Sequence, residues 1–320
     1  MKRELMAGLI AVLVIASVMM FSGCVEKEKA IEQEGKMSVA DIKAEVLANA
    51  EEIDTYKFDM AVTMRMLLSN ETNSTEMTTI SNGCGVLDVV DKKMKLNMNT
   101  SMETNETTEL PGPMEMEMYL INNTMYTKMD LGIPELPAQW TKMEMPEGYE
   151  ESWASQNQLE QQMELLNISE VELLADEELD GVDCYVLEIV PDMEKFWNST
   201  LAVVMSRSTQ GLAPGIDLRK ILKSMSTKEW ISKDTMYPKK TQMSVRLVVS
   251  SEDLAIPAMD EKFTMTADEE VEMLFYDYNQ PVSIELPEAA EAAAEPPLMQ
   301  MLNQSAFNQT ALNQTAITTE

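Results

Sequence analysis

Apolar and polar residues alternate over long stretches of this chain, a pattern that predicts strands with one buried face. The clearest stretch covers residues 56–68, where every second residue is apolar: Tyr56, Phe58, Met60, Val62, Met64, Met66 and Leu68. Shorter stretches predict further strands at 75–81, 85–90, 93–103, 114–120, 125–130, 140–145, 170–178, 182–190, 227–233, 239–250 and 263–278. Typical turn sequences at Asn82-Gly83, Asn122-Asn123 and Asp180-Gly181 predict that several of these strands form antiparallel hairpins.

Apolar residues at helical spacing predict helices at 38–53, 151–166, 192–206 and 216–225. Ser38 and Asp41 resemble a capping box at the start of the first helix. The sequence therefore predicts one α+β domain over residues 38–287, preceded by a charged tether at 24–37. After Pro287, an Ala/Glu-rich stretch and a repeated Asn-Gln-Ser/Thr triplet predict a disordered tail at 288–320.

The first 23 residues have the layout of a secretory signal. Lys2 and Arg3 precede an apolar run that ends at Phe21, and Ser22-Gly23-Cys24 follows. The quartet Phe21–Cys24 resembles a lipobox, so Cys24 is the predicted lipidation site and the membrane is the predicted partner of the anchor. The alternative is an uncleaved membrane anchor, because the apolar run approaches the roughly 17–25 residues that span a bilayer. Both interpretations put most of the chain outside the membrane, at its extracellular face.

The composition narrows the possible functions. The formal charge is −31, which repels phosphate backbones and excludes a nucleic-acid partner. The chain has no histidine, the residue most used as a general base and as a metal ligand. Neither a calcium-binding loop nor a nucleophile elbow is present, and acidic pairs such as Glu115/Glu117 and Glu269/Glu270 are typical of solvated surfaces. The sequence predicts no cofactor, no metal site and no catalytic residue.

Cysteines and sequons both indicate an extracytoplasmic compartment. With Cys24 lipidated, Cys84 and Cys184 are predicted to form a disulfide, and two free buried thiols are the alternative. Ten asparagines head Asn-x-Ser/Thr triplets and are predicted glycosylation sites: Asn70, Asn73, Asn99, Asn105, Asn122, Asn167, Asn198, Asn303, Asn308 and Asn313. So many sequons on a lipid-anchored acidic protein favour an archaeal cell surface.

Four short segments carry a resemblance to a known group of proteins: Val46–Phe58 (VLANAEEIDTYKF), Trp140–Met143 (WTKM), Leu179–Asp192 (LDGVDCYVLEIVPD) and Trp230–Lys240 (WISKDTMYPKK). Their order along residues 38–287 resembles the LolA/LppX-like lipoprotein-carrier superfamily, which includes archaeal and bacterial surface lipoproteins. The resemblance implies a strongly curved antiparallel sheet, an incomplete β-barrel wrapped around a few helices. It also implies a concave hydrophobic cavity for acyl chains.

The thirty methionines admit three interpretations. They fill a core, they line an adaptable cavity for apolar ligands, or pairs such as Met114/Met116 bind Cu(I) through their thioethers. The predicted cavity lining is Phe58, Met60, Val62, Met64, Met66, Met94, Leu96, Met98, Met116 and Met118. The leading hypothesis is a non-catalytic surface lipoprotein that binds a lipid or another hydrophobic ligand. The alternative is a ligand-free structural or interaction module of the cell envelope, and no sequence feature names a protein partner.

Overall fold

A computed structural model describes residues 37–70, 72–105, 112–133, 136–145, 158–199, 202, 217–253 and 262–294. Its helices are α1 (Val39–Ala50), α2 (Gln158–Ile168), α3 (Met193–Phe196), α4 (Leu218–Ile221) and α5 (Glu288–Glu291). Its strands are β1 (Thr55–Asn70), β2 (Ser74–Asp88), β3 (Lys93–Thr104), β4 (Met114–Ile121), β5 (Thr124–Asp130), β6 (Gln139–Glu144), β7 (Ser169–Leu173), β8 (Glu177–Leu179), β9 (Val182–Pro191), β10 (Leu222–Ser232), β11 (Pro238–Ser250) and β12 (Phe263–Tyr276).

All twelve strands form one antiparallel sheet that does not close on itself. The order is β6-β5-β4-β3-β2-β1-β12-β11-β10-β9-β7, and β8 pairs with β9. The long strands β1, β11 and β12 lie at its centre, where each buries every second residue, as the alternation in the sequence predicts. The result is the predicted α+β architecture, an incomplete barrel with a few helices.

Helix α2 reveals how strongly the sheet curves. The backbone N–H of Leu159 donates to the Tyr56 hydroxyl of β1 at 3.4 Å, and the Thr241 hydroxyl of β11 donates to Gln162 Oε1 at 3.0 Å. The same helix also packs against β7 and β9. In a flat sheet β1 and β7 would lie about 24 Å apart, but α2 is only about 16 Å long. The sheet therefore wraps around α2, and we call the face toward α2 the inner face.

Two of the three predicted turns are confirmed, and the third is wrong. Asn122, Asn123, Asp180 and Gly181 all have the positive φ angles that tight hairpins need. No turn occurs at Asn82-Gly83, because β2 continues without a break to Asp88. A glycine stands at position 83 because a Cβ atom there would lie 2.9 Å from the carbonyl oxygen of Asn97 on β3.

Several helices end earlier than predicted, among them α1, which ends at Ala50 and not at residue 53. Ser38 caps α1 as expected, and its hydroxyl accepts from the Asp41 N–H at 3.2 Å. The predicted helix at 192–206 is helical at α3 and at Ala202, and most of residues 200–206 lie outside the described residues. The helix predicted at 216–225 ends at Ile221, where β10 begins. Of the helix predicted at 151–166, residues 151–157 lie outside the described part of the chain.

The ordered chain continues beyond the boundary predicted at Pro287. Helix α5 follows that proline, and the carbonyl oxygen of Ala294 accepts from the Lys142 N–H of β6 at 2.9 Å. Residues 288–294 are therefore not part of a disordered tail. They cover part of edge strand β6, whose free backbone groups would otherwise be open to pairing with another chain.

The predicted disulfide between Cys84 and Cys184 is wrong, because both cysteines are free. Cys84 lies exposed on β2, on the outer face opposite Asp59. Cys184 is buried on β9, in a small outer-face cluster with Val186 and Trp230. Five strand spacings, about 24 Å, separate β2 from β9 along the sheet, whereas a disulfide needs Cα atoms closer than about 7 Å.

A buried carboxyl lies where β10 and β11 meet α2. Glu229 is 1% exposed and lies between Leu187 and Thr241 on the inner face. Neither of its carboxyl oxygens has a hydrogen-bond partner among the described residues. Burial raises the pKa of Glu229 from 4.5 to about 8, against a weaker opposite effect of the Thr241 hydroxyl. Glu229 is therefore neutral at neutral pH.

We predict that Cys84 reacts with a maleimide in the native, unreduced protein and that Cys184 reacts only after denaturation. The reason is that one thiol is exposed and the other is enclosed by the outer-face cluster. Peptide mass spectrometry after labelling measures both. Cys84→Ala should change the free energy of unfolding by no more than about 0.5 kcal/mol. A loss of about 2–5 kcal/mol, with neither thiol reactive before reduction, would instead indicate the disulfide.

We predict that stability falls as the pH rises from about 4.5 to about 8. In this window the folded state keeps the Glu229 proton and the unfolded chain has lost it. One such group lowers the free energy of unfolding by up to about 1.4 kcal/mol per pH unit. Glu229→Gln, which stays neutral, should reduce the slope in urea titrations at several pH values. Glu188→Gln, on the outer face of β9, should leave it unchanged, and equal slopes in all three proteins would contradict the assignment.

Candidate functional site

The inner face of the sheet brings together all ten residues predicted to line a cavity. Phe58, Met60, Val62, Met64, Met66, Met94 and Leu96 are buried in one hydrophobic core, and Met98, Met116 and Met118 pack against that core while remaining partly exposed. They share a face because β1, β2, β3 and β4 pair in register, with Phe58 opposite Gly85 and Gly85 opposite Leu96. The structure thus brings these residues together, and their role in ligand binding stays a prediction.

Methionines form a continuous surface on the inner face of β3, β4 and β5. Met98 lies opposite Met116, and Met116 lies opposite Met129. Met118 occupies the next inner position on β4, opposite Thr127, and Met125 lies beyond Thr127 on β5. All five methionine side chains are partly exposed. We call these five residues the methionine face. Directly opposite residues on adjacent strands have Cβ atoms about 4.5–5.5 Å apart, so their side chains form one apolar surface.

Helices α1, α2 and α4 pack on the other half of the inner face. Helices α1 and α2 pack against each other and against β7, and α2 also packs against β9. Helix α4 packs against β10 and β11. The methionines on β1 are buried, whereas those of the methionine face on β3–β5 are partly exposed. The inner face therefore has a packed half and an accessible half. Met side chains are flexible and polarisable, which suits an accessible surface that contacts apolar ligands of varied shape.

The sequence analysis does not predict that Glu269 is buried. Glu269 and Glu270 were expected to form a solvated acidic pair, but Glu269 is 4% exposed and only Glu270 faces solvent. Glu269 lies on the inner face of β12, between Met64 of β1 and Val245 of β11. Burial alone raises its pKa well above the usual value. The signal was the two-residue period of β12, which puts Glu269 in the same register as Ala267, Val271 and Met273.

Carboxylates of the other acidic pairs either accept hydrogen bonds from nearby side chains or are exposed to solvent. Glu177 accepts a hydrogen bond from Trp230 Nε1 at 2.8 Å, which together with Lys228 lowers its pKa. Glu117 accepts from the Tyr119 hydroxyl at 2.8 Å, and Glu115 is exposed. None of these carboxylates is enclosed in an apolar site, so the prediction that they belong to solvated or surface positions stands.

A concave region lies along β2–β5. Its volume is about 470 Å³, and it is lined by the outer-face residues Asn82, Cys84, Asn97, Asn99, Glu115, Glu117, Lys128 and Asp130, together with Gly83, Ala138 and the methionine-face residues Met98 and Met116. The region therefore borders on two members of the methionine face. In the described residues no group of three or more Cys, Asp and Glu side chains is placed to hold a metal ion.

The predicted modification sites divide between described and undescribed parts of the chain. Seven sequon asparagines lie within the described ranges, and all are exposed, as glycosylation requires: Asn70, Asn73, Asn99, Asn105, Asn122, Asn167 and Asn198. Asn303, Asn308 and Asn313 lie outside the described residues, as do Cys24 and the signal segment. Within those ranges no helix combines the length and the apolar character that crossing a bilayer requires.

Solved structures with a similar fold have low sequence identity to this chain. LppX, a lipoprotein of Mycobacterium tuberculosis, is 12% identical with a TM-score of 0.34, and the match covers 78% of this chain and 100% of LppX. A LolA superfamily protein of Nitrosomonas europaea is 10% identical with a TM-score of 0.21, covering 77% and 95%. A chain of the MucA/MucB complex of Pseudomonas aeruginosa is 9% identical with a TM-score of 0.25, covering 78% and 61%.

Comparison with curated protein sequences finds no match. One family model matches residues 38–295, which is most of the chain. The match begins at the predicted start of the domain. It ends one residue after Ala294, whose carbonyl oxygen accepts the hydrogen bond from Lys142 of β6. The chain therefore belongs to the family described as a family of unknown function, DUF6612.

Proposed function

We propose that this protein is a non-catalytic lipoprotein that binds a lipid or another hydrophobic ligand on the inner face of its incomplete barrel. The observation that carries the proposal is the methionine face. Five apolar side chains on three adjacent strands are partly exposed on the face that elsewhere forms the core. Large contiguous apolar surfaces that remain accessible in a folded domain are typical of ligand or partner sites.

The shape of the sheet supports a ligand held along the strands. Because the sheet wraps around α2, the methionine face is the continuation of the core surface rather than an isolated patch. A hydrophobic chain bound there extends the core across β3–β5 and removes its own surface from water. Burial of apolar surface stabilises such a complex by roughly 25 cal/mol per Å² before the cost of association.

The chemistry of the described residues favours binding over catalysis. Neither of the two carboxyls enclosed on the inner face, Glu229 and Glu269, has a basic residue beside it among the described strands. The Thr241 hydroxyl next to Glu229 donates its hydrogen bond to Gln162 Oε1. Acid–base catalysis needs a nucleophile or a basic partner within hydrogen-bonding reach. The alternative function, an envelope interaction module without a ligand, requires another protein to cover the methionine face.

We propose that Cys24 anchors the protein, through lipid, at the outer face of the cell membrane, with the exposed sequon asparagines carrying glycans. The support is the lipobox-like Phe21–Cys24 and the exposure of all seven described sequon asparagines. An anchored domain of this kind presents its ligand site close to the membrane that supplies hydrophobic ligands.

We predict that Met98→Glu weakens the binding of a long-chain apolar fluorescent probe at least about tenfold, which corresponds to about 1.4 kcal/mol. A charge on the methionine face must lose water when the probe binds. Asn97→Glu is the matched control, because it adds the same charge one residue away on the outer face, and it should change the affinity less than about twofold. Fluorescence titration of the ectodomain measures both.

Native mass spectrometry and organic extraction of the same ectodomain then identify bound material. A co-purifying hydrophobic molecule at defined stoichiometry supports the proposal. A ligand-free mass, with no uptake of probe by the wild type, contradicts it and favours the interaction module.

We predict that Cys24→Ser abolishes lipidation, since the hydroxyl cannot replace the thiol as the acceptor. The measurements are the mass of the mature protein and its partition between membrane and soluble fractions. The wild type should carry the mass of a lipid on a chain that starts at residue 24. If the Cys24→Ser protein stays in the membrane exactly as the wild type does, with residues 1–23 still attached in both, the uncleaved anchor is the correct interpretation.

A further inference from the structure

Glu269 is a carboxyl in an otherwise apolar part of the inner face. Its neighbours across the sheet are Met64 and Val245, and its neighbours on the same face of β12 are Ala267 and Val271. All four belong to the hydrophobic core. Glu229, the other inner-face carboxyl, is next to Thr241 and close to the Gln162 amide of α2. The sheet offers Glu269 no comparable polar neighbour.

The Oε1 atom of Glu269 has no hydrogen-bond partner among the described residues. A buried polar group without a partner lowers stability, and a methionine at this position would bury the same volume without that penalty. The packing of the residues that the structure describes therefore gives no reason for a carboxyl at position 269. A ligand that supplies the missing hydrogen bonds gives one.

The state of the carboxyl defines what it can recognise. No inner-face residue that pairs with this part of β12 on β1 or β11 is titratable, and Arg219 and Lys220 of α4 are exposed. Burial raises the pKa of Glu269, which favours the protonated form, and a protonated carboxyl has one O–H donor and a carbonyl acceptor. A hydroxyl group of a ligand both accepts and donates a hydrogen bond, so it can pair with the O–H and with the carbonyl oxygen of the acid at once.

The position of Glu269 relative to the methionine face fits a long ligand. Met98 lies three strands and two inner-face positions away from Glu269 in the register of the sheet. Measured along the sheet this is about 20 Å, the span of an extended long-chain lipid tail. A head group at Glu269 would leave the tail on the methionine face. The residues between them, Met64 and Thr79, are buried in the free protein, so binding of such a ligand has to open the packing over them. The charge of −31 disfavours an anionic head group.

We propose that Glu269 is the head-group recognition residue of the inner face and that the ligand is a long-chain amphiphile with an uncharged hydroxyl head. The proposal rests on the proposed function, because it assumes that the inner face binds a hydrophobic ligand. It adds the chemical class of that ligand and the residue that selects it.

The test compares three ligands with the same saturated chain, hexadecanol, hexadecylamine and palmitic acid, in displacement of the apolar probe from the ectodomain. The wild type should bind the alcohol at least about tenfold more tightly than the other two. Glu269→Met should lose this preference while keeping its affinity for the probe. Glu269→Gln, which retains a neutral donor and acceptor, should keep most of the preference. Glu270→Gln, one residue away on the exposed face, should behave as the wild type.

Each other outcome overturns the inference. Equal affinity for the three ligands, or a preference that survives in Glu269→Met, removes Glu269 as the recognition residue. A preference for the amine that Glu269→Met abolishes assigns the site to cations instead. If Glu269→Met does not fold, Glu269→Ala takes its place: loss of the preference there, with retention in Glu270→Gln, supports the inference, and retention in Glu269→Ala overturns it. Loss of the preference in Glu269→Gln overturns recognition by a neutral donor and acceptor. A wild type that binds neither probe nor ligand contradicts the proposed function itself, which distinguishes that failure from the others.

Discussion

The two-residue repeat of the central strands is the constraint on which the rest of the structure depends. Each of β1, β11 and β12 buries every second side chain, so the sheet has one face that must be removed from water. A twelve-stranded sheet has more such surface than two main helices can cover. Curvature around α2 covers the half near β7–β11. On β3–β5 the same repeat forms the methionine face, whose side chains remain partly exposed.

Sequence periodicity predicted the local structure well because strands and hairpins are determined by neighbouring residues. The alternation at 56–68 and the Asn122-Asn123 turn need no information from elsewhere in the chain. Asn82-Gly83 has the same local signature as a turn, but Gly83 serves a long-range need, the close approach of the Asn97 carbonyl. The disulfide failed for the related reason that two cysteines in sequence say nothing about the number of strands between them.

The candidate site was predictable in its apolar part and not in its polar part. The ten lining residues followed from the register of individual strands, and the structure brings them to one face. Glu269 was classed with its neighbour Glu270 because adjacent acids are usually solvated. In a strand, however, adjacent residues face opposite sides, so one of the two had to point inward. The alternation of β12 indicates that Glu269 is the buried one. The high content of acidic residues instead favoured the interpretation of a solvated pair.

An inward carboxyl is tolerated only where the surrounding fold is stable enough to accept its cost. The long central strands supply that stability, since β12 pairs along almost its whole length with both β1 and β11. Glu269 lies in the middle of this pairing, where its cross-strand neighbours, Met64 and Val245, are apolar and have no hydrogen bond to donate. A polar group fixed in a rigid apolar wall is preorganised for an incoming partner. If Glu269 binds the head group of a ligand, the same rigidity that makes the carboxyl unfavourable in the free protein would make it selective.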